Sequence, residues 1–277
     1  MPDKGGQWQK VFDYLLGYQA VWVIDVGLKS GLLAAIAERE PVAEAPLREA
    51  LGLDARYLSV WCRAAYAYEL VEWDAASGYR LAPHVRDILL DPADPQFLGG
   101  RLQFYAALHQ DFKAFPTYLK SGGSWARAEH DPWLLEALAN MTKPDPVMIV
   151  QAVLPQSPTT LQRLDTDGAR ILDLGAGAGY AVIHYARRFP TAHVTGIEAD
   201  EATVQLGQRA LADSGLANAE LRHGDANELA AAAEYDLVTM NVALHETGGP
   251  AEWRNVLRRV NAALKPSGTL IVSELPY

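Results

Sequence analysis

Residues 170–179 read Arg-Ile-Leu-Asp-Leu-Gly-Ala-Gly-Ala-Gly, and they constrain the fold more than any other stretch. A short apolar run, Ile171 and Leu172, ends at Asp173. Glycines then occupy the alternate positions 175, 177 and 179, and Tyr180 to Phe189 follows with helical apolar spacing. The pattern predicts a strand, a tight turn and a helix. Glycines at such a turn let the backbone approach a ligand where a Cβ would collide. The dinucleotide fingerprint is G-x-G-x-x-G. The ligand of such a turn is a dinucleotide or another adenosine derivative, and the spacing separates the two: here the third glycine comes one residue early and Tyr180 stands at the dinucleotide position.

Four further segments follow in order. His193-Val-Thr-Gly-Ile-Glu198 is a second strand ending in an acid, and a carboxylate there can accept bonds from ribose hydroxyls. Ala219 to Asp225, ending Gly-Asp225-Ala226, is a third strand. Tyr235 to Asn241 is a fourth, running into Val-Ala-Leu-His245-Glu246. A helical stretch, Trp253 to Leu264, is broken by Lys265-Pro-Ser-Gly268, and Thr269 to Glu274 makes a fifth strand. The alanine run 230–233 predicts a short helix. The D-x-G-x-G-x-G turn, the acid at 198, the Gly-Asp-Ala segment and the Lys-Pro-x-Gly turn together resemble the class I S-adenosylmethionine (SAM) methyltransferases. The resemblance covers about 105 residues.

Composition places the chain among folded proteins without a nucleic-acid partner. Of 277 residues, 49% are apolar, and a chain of this length can form two domains and bury a sizeable core. Acids outnumber Lys and Arg by 34 to 24, which repels nucleic acid and anionic membranes. One cysteine, Cys62, makes neither an intrachain disulfide nor a thiolate metal cluster. With no signal peptide and no apolar run of membrane-spanning length evident, a cytoplasmic protein without a membrane or metal is expected.

The first half has its own pattern. Residues 8–38 are apolar around much of a helical circumference, which fits deep burial or an oligomer interface. A short helix over 46–53 follows, then a second that Asp54 can cap, then a turn over 74–78 and a strand over 79–83. Helix, turn, helix and wing make a winged-helix pattern. Residues 46–90 hold five Arg, six acids and no Lys, and the second helix is rich in Tyr, Trp and Val. A DNA reader needs a basic face, so packing or dimerisation is the better account. The pattern is similar to the small-molecule O-methyltransferases, in which such a domain precedes the SAM domain and dimerises it. The expected plan is α/β. A helical winged-helix dimerisation domain spans 1–95, a helical linker with pocket residues spans 96–160, and a Rossmann-like SAM-binding domain spans 161–277.

The resemblance implies roles for individual residues. Asp173, Gly175, Gly177, Glu198, Asp225, Ala226 and Asn241 would hold SAM, or S-adenosylhomocysteine (SAH) as product. Leu-His245 resembles the segment that carries the general base, and Glu274 matches the carboxylate that orients it. A histidine suits that work because its ordinary pKa, about 6.5, lies near working pH. Candidates for a small-molecule acceptor site are His109, Phe112, Trp133, Met141, Met148 and Glu246. The expected reaction is O-methylation of a small aromatic metabolite by a homodimer. Decarboxylation or hydroxylation by a SAM-binding relative, or a non-enzymatic SAM-sensing regulator, are the alternatives. Two features depart from the family: Asn241 stands where lysine is frequent, and the family's last two strands are not evident after Glu274, which would leave an open sheet edge.

Overall fold

The computed structural model describes residues 3–109, 111–123 and 132–274. It divides into two units, Met1–Met141 and Thr142–Tyr277. The boundary falls inside the stretch read from sequence as a linker.

In the first unit, α1 (Lys4–Lys29) is capped by the Asp3 carboxylate, which accepts from the Gly6 amide. Gly31, at φ 73°, separates it from α2 (Leu32–Arg39), so the apolar stretch 8–38 is two helices. Then come α3 (Glu44–Leu51) and α4 (Ala55–Ala67). Gly52 ends α3 in the left-handed region, and Asp54 caps α4 through the Arg56 and Tyr57 amides. A hairpin of β1 (Val71–Asp74) and β2 (Gly78–Leu81) follows, then α5 (Val85–Leu90), α6 (Gly99–Leu108), α7 (Phe115–Ser121) and α8 (Pro132–Met141). The core is Leu33, Ile36, Leu47, Leu58, Cys62 and their neighbours. Gly27 lets α1 approach Trp61, where a Cβ would lie 2.6 Å from the ring, and the Trp61 indole donates to the Val23 carbonyl.

Helix α1 corrects one expectation. Gly and Gln interrupt its apolar residues, so the sequence shows no continuous run. By length and composition, however, its 26 residues could cross a membrane, and 6% of the relevant window is buried. Trp8, Phe12, Tyr14, Leu15 and Trp22 are all exposed, Trp8 at 61% and Tyr14 at 62%.

The second unit opens with α9 (Pro144–Met148), a π-helical turn over Ile149–Val153 and α10 (Pro158–Leu164). Strands and helices then alternate: β3 (Arg170–Leu174), α11 (Tyr180–Arg188), β4 (His193–Glu198), α12 (Glu201–Ser214), β5 (Ala219–His223), β6 (Tyr235–Asn241), α13 (Pro250–Ala263) and β7 (Leu264–Ser273). The sheet is parallel throughout, in the order β5-β4-β3-β6-β7. Its strands read as near-continuous apolar runs because both faces are covered. One layer packs on Ile171, Tyr185, Phe189 and Val194, the other on Leu172, Leu174, Val238 and Val256. Strand order reverses at β3, where ligands of open α/β sheets bind.

Two local expectations fail. Residues 230–233 are irregular rather than helical, because the Ala233 and Glu234 amides donate to the carbonyls of Ala262 and Ala263 and tie the run to the end of α13. The fifth strand begins at Leu264, not Thr269, since Leu264 already pairs with Tyr235 ahead of a register shift. Among the described residues, β7 pairs only with β6 and forms a sheet edge.

Candidate functional site

The glycine turn joins β3 to α11. Gly175, Gly177 and Gly179 have φ of 71°, 53° and 78°, conformations that side-chain-bearing residues rarely take. The three glycines differ in their surroundings. A Cβ on Gly175 would lie 2.5 Å from the Ala243 Cβ. A Cβ on Gly177 would meet nothing within 4 Å, so this part of the turn borders open space. Gly179 begins α11. Beneath the turn, Gly207 of α12 comes close to the Ala178 backbone, and Gly196 of β4 is hemmed in by Val182 and Leu221. Sequence reasoning missed both glycines. Gly196 lies inside a strand, where glycine signals a close backbone approach.

Acids and amides converge at the carboxyl ends of the strands. Glu198 accepts from the Gly177 amide with Oε2 and from the Asp200 amide with Oε1, both at 2.9 Å, so it fixes the turn as well as facing it. Each oxygen keeps a second lone pair for a ligand hydroxyl. Exposed Asp225 caps a short turn through the Asn227 amide, 2.8 Å away, with Ala226 packed beneath. Asp173 is not at the surface. It accepts from Thr239 Oγ1 at 2.6 Å and Asn241 Nδ2 at 3.3 Å. Burial pushes its carboxyl up to about 7, opposed by the Thr239 and Asn241 donors and assisted by the Glu198 charge. Thr239 was not among the sequence candidates.

His245 lies on a 3-10 turn, Leu244–Thr247, directly after β6. Its Nδ1 is 2.8 Å from Glu274 Oε2. Glu274 Oε1 also accepts from the Leu244 amide at 2.7 Å and the His245 amide at 3.4 Å. The parallel pairing of β6 with β7, Asn241 opposite Ser273, brings the two segments together. One carboxylate thus orients the imidazole and holds the turn that carries it. With Nδ1 donating to the carboxylate, Nε2 is the nitrogen that can accept a proton.

The acceptor-site candidates are divided between the units. In the first, His109 faces the Tyr18 hydroxyl at 3.2 Å, Phe112 stacks edge-on with Phe115, and Met141 is buried. Trp133 lies on α8, its side chain outside the described residues. In the second unit, Met148 is half-buried and Glu246 exposed. Among the described residues, no group of three or more His, Cys, Asp or Glu could hold a metal ion.

These features fit a nucleoside cofactor: a turn with open space at Gly177, acids at the ends of β4 and β5, and a buried Asn241 Oδ1 without a partner among the described residues. The comparisons agree. Residues 171–268 match the family model described as a methyltransferase domain. The demethylmenaquinone methyltransferase of Halalkalibacterium halodurans is 31% identical over 118 residues, 42% of this chain and 47% of that protein. The chain thus spans about half the length of the curated relatives it matches. Two solved structures share the fold over nearly all of the chain. Mitomycin 7-O-methyltransferase has 21% identity and a TM-score of 0.65, covering 99% of this chain and 83% of its own. Human N-acetylserotonin methyltransferase, crystallised with SAM, has 17% identity and a TM-score of 0.67, covering 98% and 81%. Helices before a parallel-sheet Rossmann-like core are common to both.

Proposed function

We propose that this chain transfers a methyl group to a hydroxyl oxygen of a small aromatic metabolite, with His245 as general base. The observation that carries this reading is the His245–Glu274 pair at 2.8 Å on the turn after β6. The cofactor supplies the methyl on a sulfonium, a group that needs an in-line nucleophile and little covalent help. Gly175 to Gly177, Glu198, Asp225 and Asn241 hold and orient it. The acceptor hydroxyl gives its proton to His245 Nε2, and Glu274 stabilises the imidazolium that forms. His109, Phe112, Trp133, Met141, Met148 and Glu246 are our candidates for holding the acceptor. The test is incubation with SAM and a panel of phenols, with mass spectrometry of the methylated product. Turnover by the parent chain with full retention in His245→Ala would reject the base. Calorimetry with tight NAD binding and no response to SAH would reject the cofactor.

The same reading makes α3, α4 and the β1–β2 hairpin a winged helix used for packing, and α1 the centre of a homodimer. Nine large apolar side chains of α1 are exposed, and a second copy would cover them. One buried, reduced cysteine suits a cytoplasmic protein. Light scattering tests the dimer, and partition onto lipid vesicles instead of self-association would overturn it.

A further inference from the structure

Behind the glycine turn lies a closed polar cluster that proton transfer at His245 does not use. Its centre is Asp173, 2% exposed, with donors from Thr239 and Asn241. Tyr185 of α11 is fully buried and its hydroxyl faces the same Thr239 and Asn241. Asn241 Oδ1 has no hydrogen-bond partner among the described residues. Among the described residues, the charged groups that reach the cluster are carboxylates: Glu198 of β4 acts on Asp173, and Asp145 of α9 acts on Tyr185. A carboxylate buried beside a second negative charge and without a cation is costly to ionise.

We propose that Asp173 discriminates SAM from SAH by charge, holding a proton in the cofactor-free protein and releasing it when the sulfonium docks at the glycine turn. This rests on the SAM assignment made above. Asp173 stands two residues before Gly175, on the strand that delivers the turn. An added positive charge nearby favours the ionised carboxyl, lowering its proton affinity by about 10- to 10³-fold. The Asp173 O–H bond breaks, its electron pair stays on the carboxylate, and the proton passes to the buffer. SAM and SAH share the adenosine, the ammonium and the carboxylate. They differ in the sulfur, a cation in SAM and a neutral thioether in SAH. Only SAM gives Asp173 the full countercharge. The burial that lifts this carboxyl to about 7 puts the exchange near neutral pH.

Affinity for SAM should therefore rise about tenfold from pH 6 to pH 8, and affinity for SAH by a smaller factor. Calorimetry at pH 6 in two buffers of different ionisation enthalpy should find about 0.4 to 0.9 proton released per SAM and fewer per SAH, with the release vanishing above pH 8. Asp173→Asn should bind SAM with no such pH dependence, and His245→Ala should keep the release. Should Asp173→Asn fail to fold, a carboxyl ¹³C titration of the unmutated protein reads the same event. It should show Asp173 protonated at pH 6 without ligand and ionised with SAM. Equal release with both ligands, release lost in His245→Ala, or an ionised Asp173 at pH 6 without ligand would overturn the proposal. No binding of either ligand would instead defeat the SAM assignment, and this inference with it.

Discussion

Helix α1 of the first unit and the β3–turn–α11 segment of the second use apolar residues in opposite ways. In the 26 residues of α1 only Gly27 is buried, and tryptophans and tyrosines face outward. In β3, four of five residues are buried, and the turn after it has neighbours within contact distance at Gly175 and Gly179. The turn spends its apolar surface on holding one geometry, while α1 leaves surface to be covered by something else. Substitutions in the turn should therefore register as stability or catalysis, and substitutions on the outer face of α1 as association.

The sharpest way to break this contrast is Gly175→Val. It places a branched side chain at φ 71° against Ala243, so loss of cooperative unfolding of the second unit is expected in calorimetry. A variant with an unchanged Tm would show that the turn is looser than its contacts indicate. Next in size is His245→Ala, which should lower turnover by about 10²–10⁴-fold while SAH affinity barely changes. Glu274→Gln should lower turnover less. It should also make the 244–245 amides exchange faster, because its carboxylate accepts from both.

Stability against pH comes third. The Asp173 carboxyl is raised in the folded state to about 7 from an ordinary 3.8. The unfolded chain gives up that proton at lower pH, so this contribution is full below about 4 and is lost as pH rises to about 7. Its ceiling is about 4 kcal/mol, from 1.36 kcal/mol per pKa unit. Asp173→Asn should flatten the slope in denaturant titrations between pH 4 and 7, and an unchanged slope would contradict the assignment. The smallest expected effect is on α1. Leu15→Lys should change unfolding free energy by no more than about 0.5 kcal/mol, yet shift a dimer to monomer in light scattering. Val23 and Ile24 do not serve for this test, because they pack on the core of their own unit.

What could be read from the sequence was local. The glycine turn, the cap at Asp54, the acid at 198 and the His245 turn are each written in a few adjacent residues, and the structure has those elements in the expected order. Burial was harder to read. Asp173 stands in a motif that suggests ligand contact, but it turns inward to Thr239, 66 residues away, so only pairing of β3 with β6 reveals its surroundings. Glu274 could be matched to His245 by resemblance. Its grip on the Leu244 amide depends on the register of β7, which no short motif encodes. The alanine run misled because helix propensity is a weak prior beside two backbone bonds to α13.

The meeting of Gly175 with Ala243 has a consequence for how such a domain can change over time. The first residue belongs to the turn assigned to the cofactor, the second stands two positions before His245, and they are matched to within a methyl group. A larger residue at either position must wedge the two loops apart. The gap between the glycine turn and the turn that carries His245 is in effect gauged by one carbon atom. A change of size on one loop must therefore be answered by a change on the other.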